Sequence, residues 1–347
     1  MRVWCLGNEM DGPWQLGHKT PIEYGRLAAE IARGLRQFDP DLELVACGSS
    51  TPTMPTFGLW ETAVLEQAYE LVDFISLHGY FEELEGDLGS FLASSAAMDR
   101  FIEKVIDIAD SVGDRLGQTR RMQLSFDEWN VWYLSRFQAR PRPTDWLVAE
   151  RISEDDYTVV DAVVVGSLLI SLLKHADRVR AACIAQLVNV IGVIRAEPGG
   201  QAWRQATFYP FALTSRFARG SVVALRIDAP AISTSLHGSV PAVDGVATYD
   251  PQSGEAALFV VNRDPHEATS ISVNIPALEG AQLLEALVMS DEDPNACNTC
   301  DDTGRVRPRN LDVVQTNDGF RLPMPPASWA MVRLSIQAVA PLPPTSV

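Results

Sequence analysis

Val3-Trp4-Cys5-Leu6-Gly7-Asn8-Glu9 and, much later in the chain, Met122-Gln123-Leu124-Ser125-Phe126-Asp127-Glu128-Trp129-Asn130 are the stretches on which the fold turns. In each, a short apolar run of strand length stops at an acid or an amide. The same texture recurs at residues 42–47, 74–77 and 181–186, followed by Ser49-Ser50, His78-Gly79-Tyr80 and Asn189. Stretches of helical period at residues 20–38, 59–70, 90–112 and 157–175 lie between these runs. Short apolar strands alternating with helices are the signature of a parallel sheet with helical crossovers. The helix at residue 20 is the best marked: Thr20 can cap it, Pro21 stands at its first position, Glu23 completes a capping box and Pro40 follows its end.

Polar groups gathered just after parallel strands occur in (β/α)₈ barrels and at the switch point of open doubly wound sheets. No glycine-rich phosphate loop follows any of these strands, which favours the barrel. Five strands cannot close one, so residues 1–200 read as a partial (β/α)₈ barrel of α/β class. From about residue 205 the texture changes to short alternating runs at 245–249, 256–261, 270–275 and 329–334, separated by Gly, Pro, Asn and Asp. Residues 201–340 therefore read as an antiparallel β-sandwich, with a frayed Pro-rich tail at 341–347.

Forty-five acidic against 28 basic residues leave a net charge of −17, a field that repels nucleic acid and anionic membrane and suits a neutral substrate. The longest apolar stretch, residues 159–173, is interrupted by Asp161 and reads as a buried helix, not a membrane span. Five cysteines, three of them in strand-like runs, suggest reduced and buried thiols in a cytoplasmic protein. No leader precedes the first strand, which agrees with that compartment. Cys297-Asn298-Thr299-Cys300 lacks a second CxxC and a nearby His pair, so no metal site is expected there. Asp291-Glu292-Asp293 reads as a solvated turn.

Glu9 and Glu128 end two strands of the one sheet and would face one mouth of a barrel. Glycosidic cleavage needs a protonated acid for the leaving oxygen and a second carboxylate on the opposite face of the sugar. Either carboxylate alone is more simply a solvated acid at a sheet rim; paired, and flanked by amide and indole groups suited to sugar hydroxyls and sugar faces, they point to glycoside chemistry. Trp14, Trp129, Trp132 and Tyr133 are candidate platforms for a sugar face, with Trp132 the preferred one and core packing the competing role. His78 reads either as a group that tunes the acid/base pair or as a hydrogen-bonded structural histidine beneath the site, and stays outside the catalytic set.

The run Trp4-Cys5-Leu6-Gly7-Asn8-Glu9-Met10-Asp11-Gly12-Pro13-Trp14-Gln15, with Gly17-His18-Lys19-Thr20 and Glu23-Tyr24, resembles the acid/base region of the α-L-arabinofuranosidases of glycoside hydrolase family 51. Ser76-Leu77-His78-Gly79-Tyr80 and Phe126-Asp127-Glu128-Trp129-Asn130-Val131-Trp132-Tyr133 are similar to two further motifs of that family, in order. Asn298-Thr299, through Arg305-Val306-Arg307-Pro308, resembles a fourth. The resemblance implies strands 4 to 8 of the barrel plus the sandwich, with the family's first three barrel strands lying upstream of this sequence. It implies a retaining double displacement, without cofactor, on terminal α-L-arabinofuranosyl groups of arabinan, arabinoxylan or their oligosaccharides. On this resemblance Glu9 is the acid/base and Glu128 the nucleophile. Asn8 binds the sugar 2-hydroxyl, Tyr80 orients the nucleophile and Gln186 holds a sugar hydroxyl. It further implies a homo-oligomer, a hexamer by resemblance. The alternatives are another retaining glycosidase of the same barrel clan, such as a xylosidase or endoglucanase, and a non-catalytic carbohydrate-binding or assembly subunit.

Overall fold

The computed structural model describes residues 2–141, 144–146, 148, 150–274, 281–317 and 319–336. The chain forms two compact units: residues up to Glu82 with Ala96–Ser153 and Ser171–Leu187, and Glu83–Ser95 with Glu154–Ile170 and the chain from Val188 onward.

The first unit is built on a parallel sheet of five strands in sequence order: β1 (Val3–Cys5), β2 (Glu43–Ala46), β3 (Phe74–Phe81), β4 (Gln123–Val131) and β5 (Val179–Ile184). Helices α1 (Pro21–Phe38) and α2 (Leu59–Ala68) make the first two crossovers. The N-terminus of α1 forms as expected: Glu23 N donates to Thr20 Oγ1 at 3.4 Å, and Glu23 Oε2 accepts from Thr20 N at 3.0 Å. Its buried face is small, with Tyr24, Gly25, Ala28, Ala29 and Ala32, which lets α1 lie close to α2 and stack Tyr24 on Trp60 with ring centroids 5.3 Å apart. Tyr24 Oη accepts from Cys47 N at 2.8 Å and donates to Leu6 O at 3.4 Å, so this aromatic fixes the ends of β1 and β2 together. Glu61 of α2, fully buried, accepts from Gly58 N and Ser49 N at 2.7 and 2.8 Å and ties the turn after β2 to the helix.

The helix expected over 90–112 is two helices, α3 (Leu88–Leu92) and α4 (Ser95–Arg115). Asp87 Oδ1 caps the first by accepting from Ser90 N at 3.0 Å, and Ser94 Oγ donates back to Phe91 O at 2.7 Å, a local bond that competes with continuation of the helix. Past β4 come α5 (Leu134–Ala139) and α6 (Val159–Lys174). No described helix is long and apolar enough to cross a membrane.

Strands β3 and β4 run beyond their apolar cores into the polar residues, and their pairing contains an irregularity. Ser76 stands opposite Ser125, but His78 stands opposite Glu128, so β4 carries one extra residue between these pairs. Such a bulge re-aims side chains that a regular pleat would send to opposite faces.

In the second unit a six-stranded antiparallel sheet has the order Arg309–Asn310, Gln282–Met289, Ser328–Ser335, Glu255–Asn262, Val243–Asp250, Ser221–Val223. A three-stranded sheet has Gly319–Met324 between Thr269–Asn274 and Val314–Thr316. Leu258, Val260, Val288 and Val332 of the larger sheet share one apolar cluster with Phe320 and Leu322 of the smaller. A helix missing from the sequence reading, α7 (Phe208–Phe217), precedes these sheets. The Pro-rich tail at 341–347 lies outside the described residues.

Two expectations need correction. Cys47 is buried, but Cys5 and Cys183 are exposed, because β1 and β5 are the outer strands of the parallel sheet and lack a second neighbour among the described residues; all five thiols are free. Asp291 is not a solvated turn residue either: its side chain is 5% exposed and its two oxygens meet Arg305 and Arg309 at 2.8 and 3.6 Å.

Candidate active site

The loop leaving β1 carries Glu9 in a left-handed backbone conformation, φ 47°, which costs a non-glycine residue about 1–3 kcal/mol and persists only where surroundings enforce it. Three contacts do so. Gly12 N donates to Glu9 O at 2.9 Å, Lys19 N to Met10 O at 2.8 Å, and Ser50 N to both oxygens of the buried Asp11 carboxylate at 3.2 and 3.0 Å. The tight turn brings the exposed Trp14 back over Glu9, and its Nε1 donates to Glu9 Oε2 at 2.5 Å. Gly12 makes room for that ring; a Cβ there would stand 2.4 Å from it.

Glu128 sits within β4, held by the sheet. Tyr80, two residues along β3 from His78, donates from Oη to Glu128 Oε1 at 2.7 Å, a hydrogen bond to a charged group of the kind worth about 1.5–3 kcal/mol. Trp132 packs edge-on against Tyr80, with centroids 4.8 Å apart, and backs it from the end of the strand. Among the described residues its indole Nε1 is buried without a hydrogen-bond partner.

His78 lies beneath both acids with a side chain only 6% exposed. Its Nδ1 is 3.1 Å from Glu9 Oε1 and 3.6 Å from Glu128 Oε2, and its Nε2 is 3.2 Å from Asp127 Oδ1. Both ring nitrogens thus face carboxylate oxygens, Nδ1 in a hydrogen bond to Glu9 and Nε2 in an ionic contact with Asp127 that lacks hydrogen-bond geometry, an arrangement that favours the imidazolium. Burial works against that charge, but the adjacent Asp127 carboxylate, the bond to Glu9 and the charge of Glu128 outweigh it and push the His78 pKa up to about 10. One oxygen each of Glu9 and Glu128 and the His78 nitrogen all lie within 4.8 Å of one another.

Burial pushes the Glu9 carboxyl up, yet hydrogen bonds from His78 and Trp14 and the His78 charge more than offset it and leave Glu9 below the ordinary glutamate range. Glu9 is therefore ionised in this arrangement, the form of a base. The Tyr80 hydroxyl is held well above its usual range by burial first and then by Glu128, so it stays a donor. Although Cys5 is an exposed residue, partial desolvation of its thiol, followed by the nearby charge of Asp127, pushes it up to about 12, and it donates to Asp127 Oδ2 at 3.3 Å.

Of the residues singled out from sequence, Glu9, Glu128, Tyr80 and Trp132 come together here. Asn8 is exposed next to Glu9, and Gln186 is exposed just past β5, after a cis Ala185-Gln186 peptide. His78, outside the catalytic set, is a buried hydrogen-bonded histidine beneath the site, and it contacts both carboxylates. Trp14 is neither core nor a bare platform but a hydrogen-bond donor to Glu9, and Asp127 carried no expectation at all. The proximity of Trp14 to Glu9 in a Gly-Pro turn was the one available hint.

A family model described as the α-L-arabinofuranosidase C-terminal domain matches residues 127–328. An intracellular exo-α-(1→5)-L-arabinofuranosidase from Streptomyces lividans is 50% identical, aligned over 96% of this chain and 50% of its own length. An exo-α-(1→6)-L-arabinofuranosidase from Bifidobacterium longum is 44% identical over 96% of this chain and 66% of its own. The solved structure of a family 51 α-L-arabinofuranosidase from Bifidobacterium longum superposes with a TM-score of 0.90 at 43% identity, covering 95% of this chain and 66% of that one. This chain thus spans about half to two thirds of the length of these relatives.

Proposed function

Since the chain belongs to the α-L-arabinofuranosidase family and carries its C-terminal domain, we propose that it contributes the catalytic carboxylates of a retaining family 51 enzyme. That enzyme removes terminal α-L-arabinofuranosyl groups from arabinan, arabinoxylan or their oligosaccharides. The observation that carries this reading is the approach of Glu9 and Glu128 oxygens to within 4.8 Å. Retaining glycosidases hold their carboxylates about 5–5.5 Å apart, and inverting ones leave about 6.5–9.5 Å for a water.

In the first step a Glu128 oxygen bonds to the anomeric carbon while the bond to the leaving oxygen breaks, and that oxygen takes the proton of the Glu9 carboxyl. In the second, Glu9 as carboxylate takes a proton from water, the water oxygen bonds to the anomeric carbon, and the ester to Glu128 breaks. The resting structure matches the second role of Glu9. The acid form follows once an arriving aglycone displaces Trp14 Nε1 and excludes water, both of which favour the protonated carboxyl. Tyr80 fixes the attacking oxygen. Asn8 is assigned to the 2-hydroxyl, Gln186 to another sugar hydroxyl and Trp132 to the wall of the sugar site; no cofactor enters the reaction.

On this reading residues 1–200 are strands 4 to 8 of a (β/α)₈ barrel and residues 201–340 a β-sandwich. The names of the Streptomyces lividans relative and others support an intracellular location and an exo mode of attack. By the family resemblance the assembled enzyme is a homo-oligomer, a hexamer. A panel of nitrophenyl glycosides followed by proton NMR tests the proposal: the α-L-arabinofuranoside should be the preferred substrate and its first-formed sugar the α anomer. Preference for a xyloside or glucoside, or initial release of the β anomer, would overturn it.

A further inference from the structure

Asp127 and Glu128 are consecutive residues of β4, and in a regular strand their side chains would point to opposite faces. Here both reach the same histidine, Asp127 Oδ1 at Nε2 and Glu128 Oε2 at Nδ1. The extra residue in β4 opposite Leu77 makes this possible, since it shifts the register from Ser76–Ser125 to His78–Glu128. Asp127 is anchored in turn, its second oxygen accepting from Cys5 Sγ at 3.3 Å across the sheet from β1. Asp127 Oδ1 thus stands as a close ionic contact 3.2 Å from Nε2, without hydrogen-bond geometry, and the other ring nitrogen is presented to both acids of the proposed reaction.

Resting on the functional reading above, we propose that Asp127 is a positioning residue. It clamps the His78 ring through Nε2, so that the Nδ1–H is shared between Glu9 and Glu128 and couples the charge on one to the charge on the other. The charged groups facing this histidine are Glu9 from the loop after β1 and Asp127 and Glu128 of β4; Tyr80 of β3 acts on Glu128, and the thiols of Cys5, Cys47 and Cys183 from β1, the end of β2 and β5 act on Asp127. Among these, Asp127 is the one anion that touches Nε2. Withdrawing its charge leaves Nε2 beside at most a neutral amide oxygen, makes the neutral ring easier to form and weakens the positive charge that keeps Glu9 ionised.

The test has two parts. In the first, ring nitrogens of His78 are titrated by NMR in the unmodified protein, with the signal assigned by its loss in His78→Asn. Both nitrogens should remain protonated through pH 8, and the midpoint should fall by about one pH unit or more in Asp127→Asn. A midpoint near that of a free histidine in the unmodified protein would overturn the clamp, whether or not the variant folds. The second part is kinetic, on an aryl α-L-arabinofuranoside. Asp127→Asn should lower kcat by about 10- to 100-fold with KM nearly unchanged. The alkaline limb of its kcat/KM profile should move to higher pH, because Glu9 keeps its proton longer. Asp127→Glu, which retains the charge, should recover part of both. An unshifted limb and an unshifted His78 midpoint in a folded Asp127→Asn would contradict the proposal. Lack of arabinofuranosidase activity in the unmodified protein would instead sink the functional reading, while the titration still judges the clamp.

Discussion

Glu9 stands on a loop, on a backbone residue with φ 47°, under the N–H of an exposed indole. Glu128 stands inside a strand, bonded to the half-buried Tyr80, whose ring is packed against Trp132. The two acids carry the same functional group and share His78, but one is held by contacts that substrate can displace and the other by the sheet itself. That difference suits the proposed division of work. An acid/base must change its proton and its partner within each turnover, whereas a nucleophile must keep its geometry while its charge is consumed.

The largest expected effect is on the strand-borne acid: Glu128→Ala should lower kcat on every substrate by about 10⁴-fold or more, as loss of a nucleophile does. Glu9→Ala should separate the two acids by leaving group. Turnover of a nitrophenyl substrate with a good leaving group should fall far less than that of an arabino-oligosaccharide, whose loss should be about 10²- to 10⁴-fold. Equal losses on both substrates would erase the distinction between the two carboxylates.

Tyr80→Phe probes the fixed side alone and should cost about 10- to 100-fold in kcat, the worth of one hydrogen bond to a charged group. Trp14→Phe probes the adjustable side. Its N–H helps keep Glu9 below the ordinary range, so in the unmodified protein the acid form is lost at unusually low pH. Removing that N–H should move the alkaline limb of kcat/KM up by about half a pH unit and leave the kcat limb in place, since kcat reports the complex from which Trp14 is already displaced.

Much of this architecture is legible in the residues, because some devices are local. The capping box of Thr20 and Glu23 is written within four positions, and the structure forms it. As the smallest effect, Thr20→Ala should lower stability by about 1 kcal/mol in denaturant unfolding without touching the pH profile. The acids Glu9 and Glu128 are similarly visible, since an apolar run closed by an acid is a local pattern, although Glu128 does not end its strand: β4 continues to Val131. What escaped the sequence is non-local. The bulge that turns Asp127 toward His78 arises from pairing between β3 and β4, and period-two reasoning assigns that side chain to the wrong face. The exposure of Cys5 and Cys183 follows from strand order in the sheet, which apolar runs do not encode. The break between α3 and α4 at Ser94, and the short helix α7, depend on single hydrogen bonds and packing that override propensity.

Azide supplied to the two alanine variants reads the roles of the acids from the products. With a dinitrophenyl α-L-arabinofuranoside, Glu128→Ala should be rescued to give the inverted β-arabinofuranosyl azide, because the anion fills the space left by the nucleophile. Glu9→Ala should give the retained α azide, formed by attack on the covalent intermediate at Glu128. The reverse pair of configurations, or rescue of neither variant, would contradict the assignment of the two carboxylates.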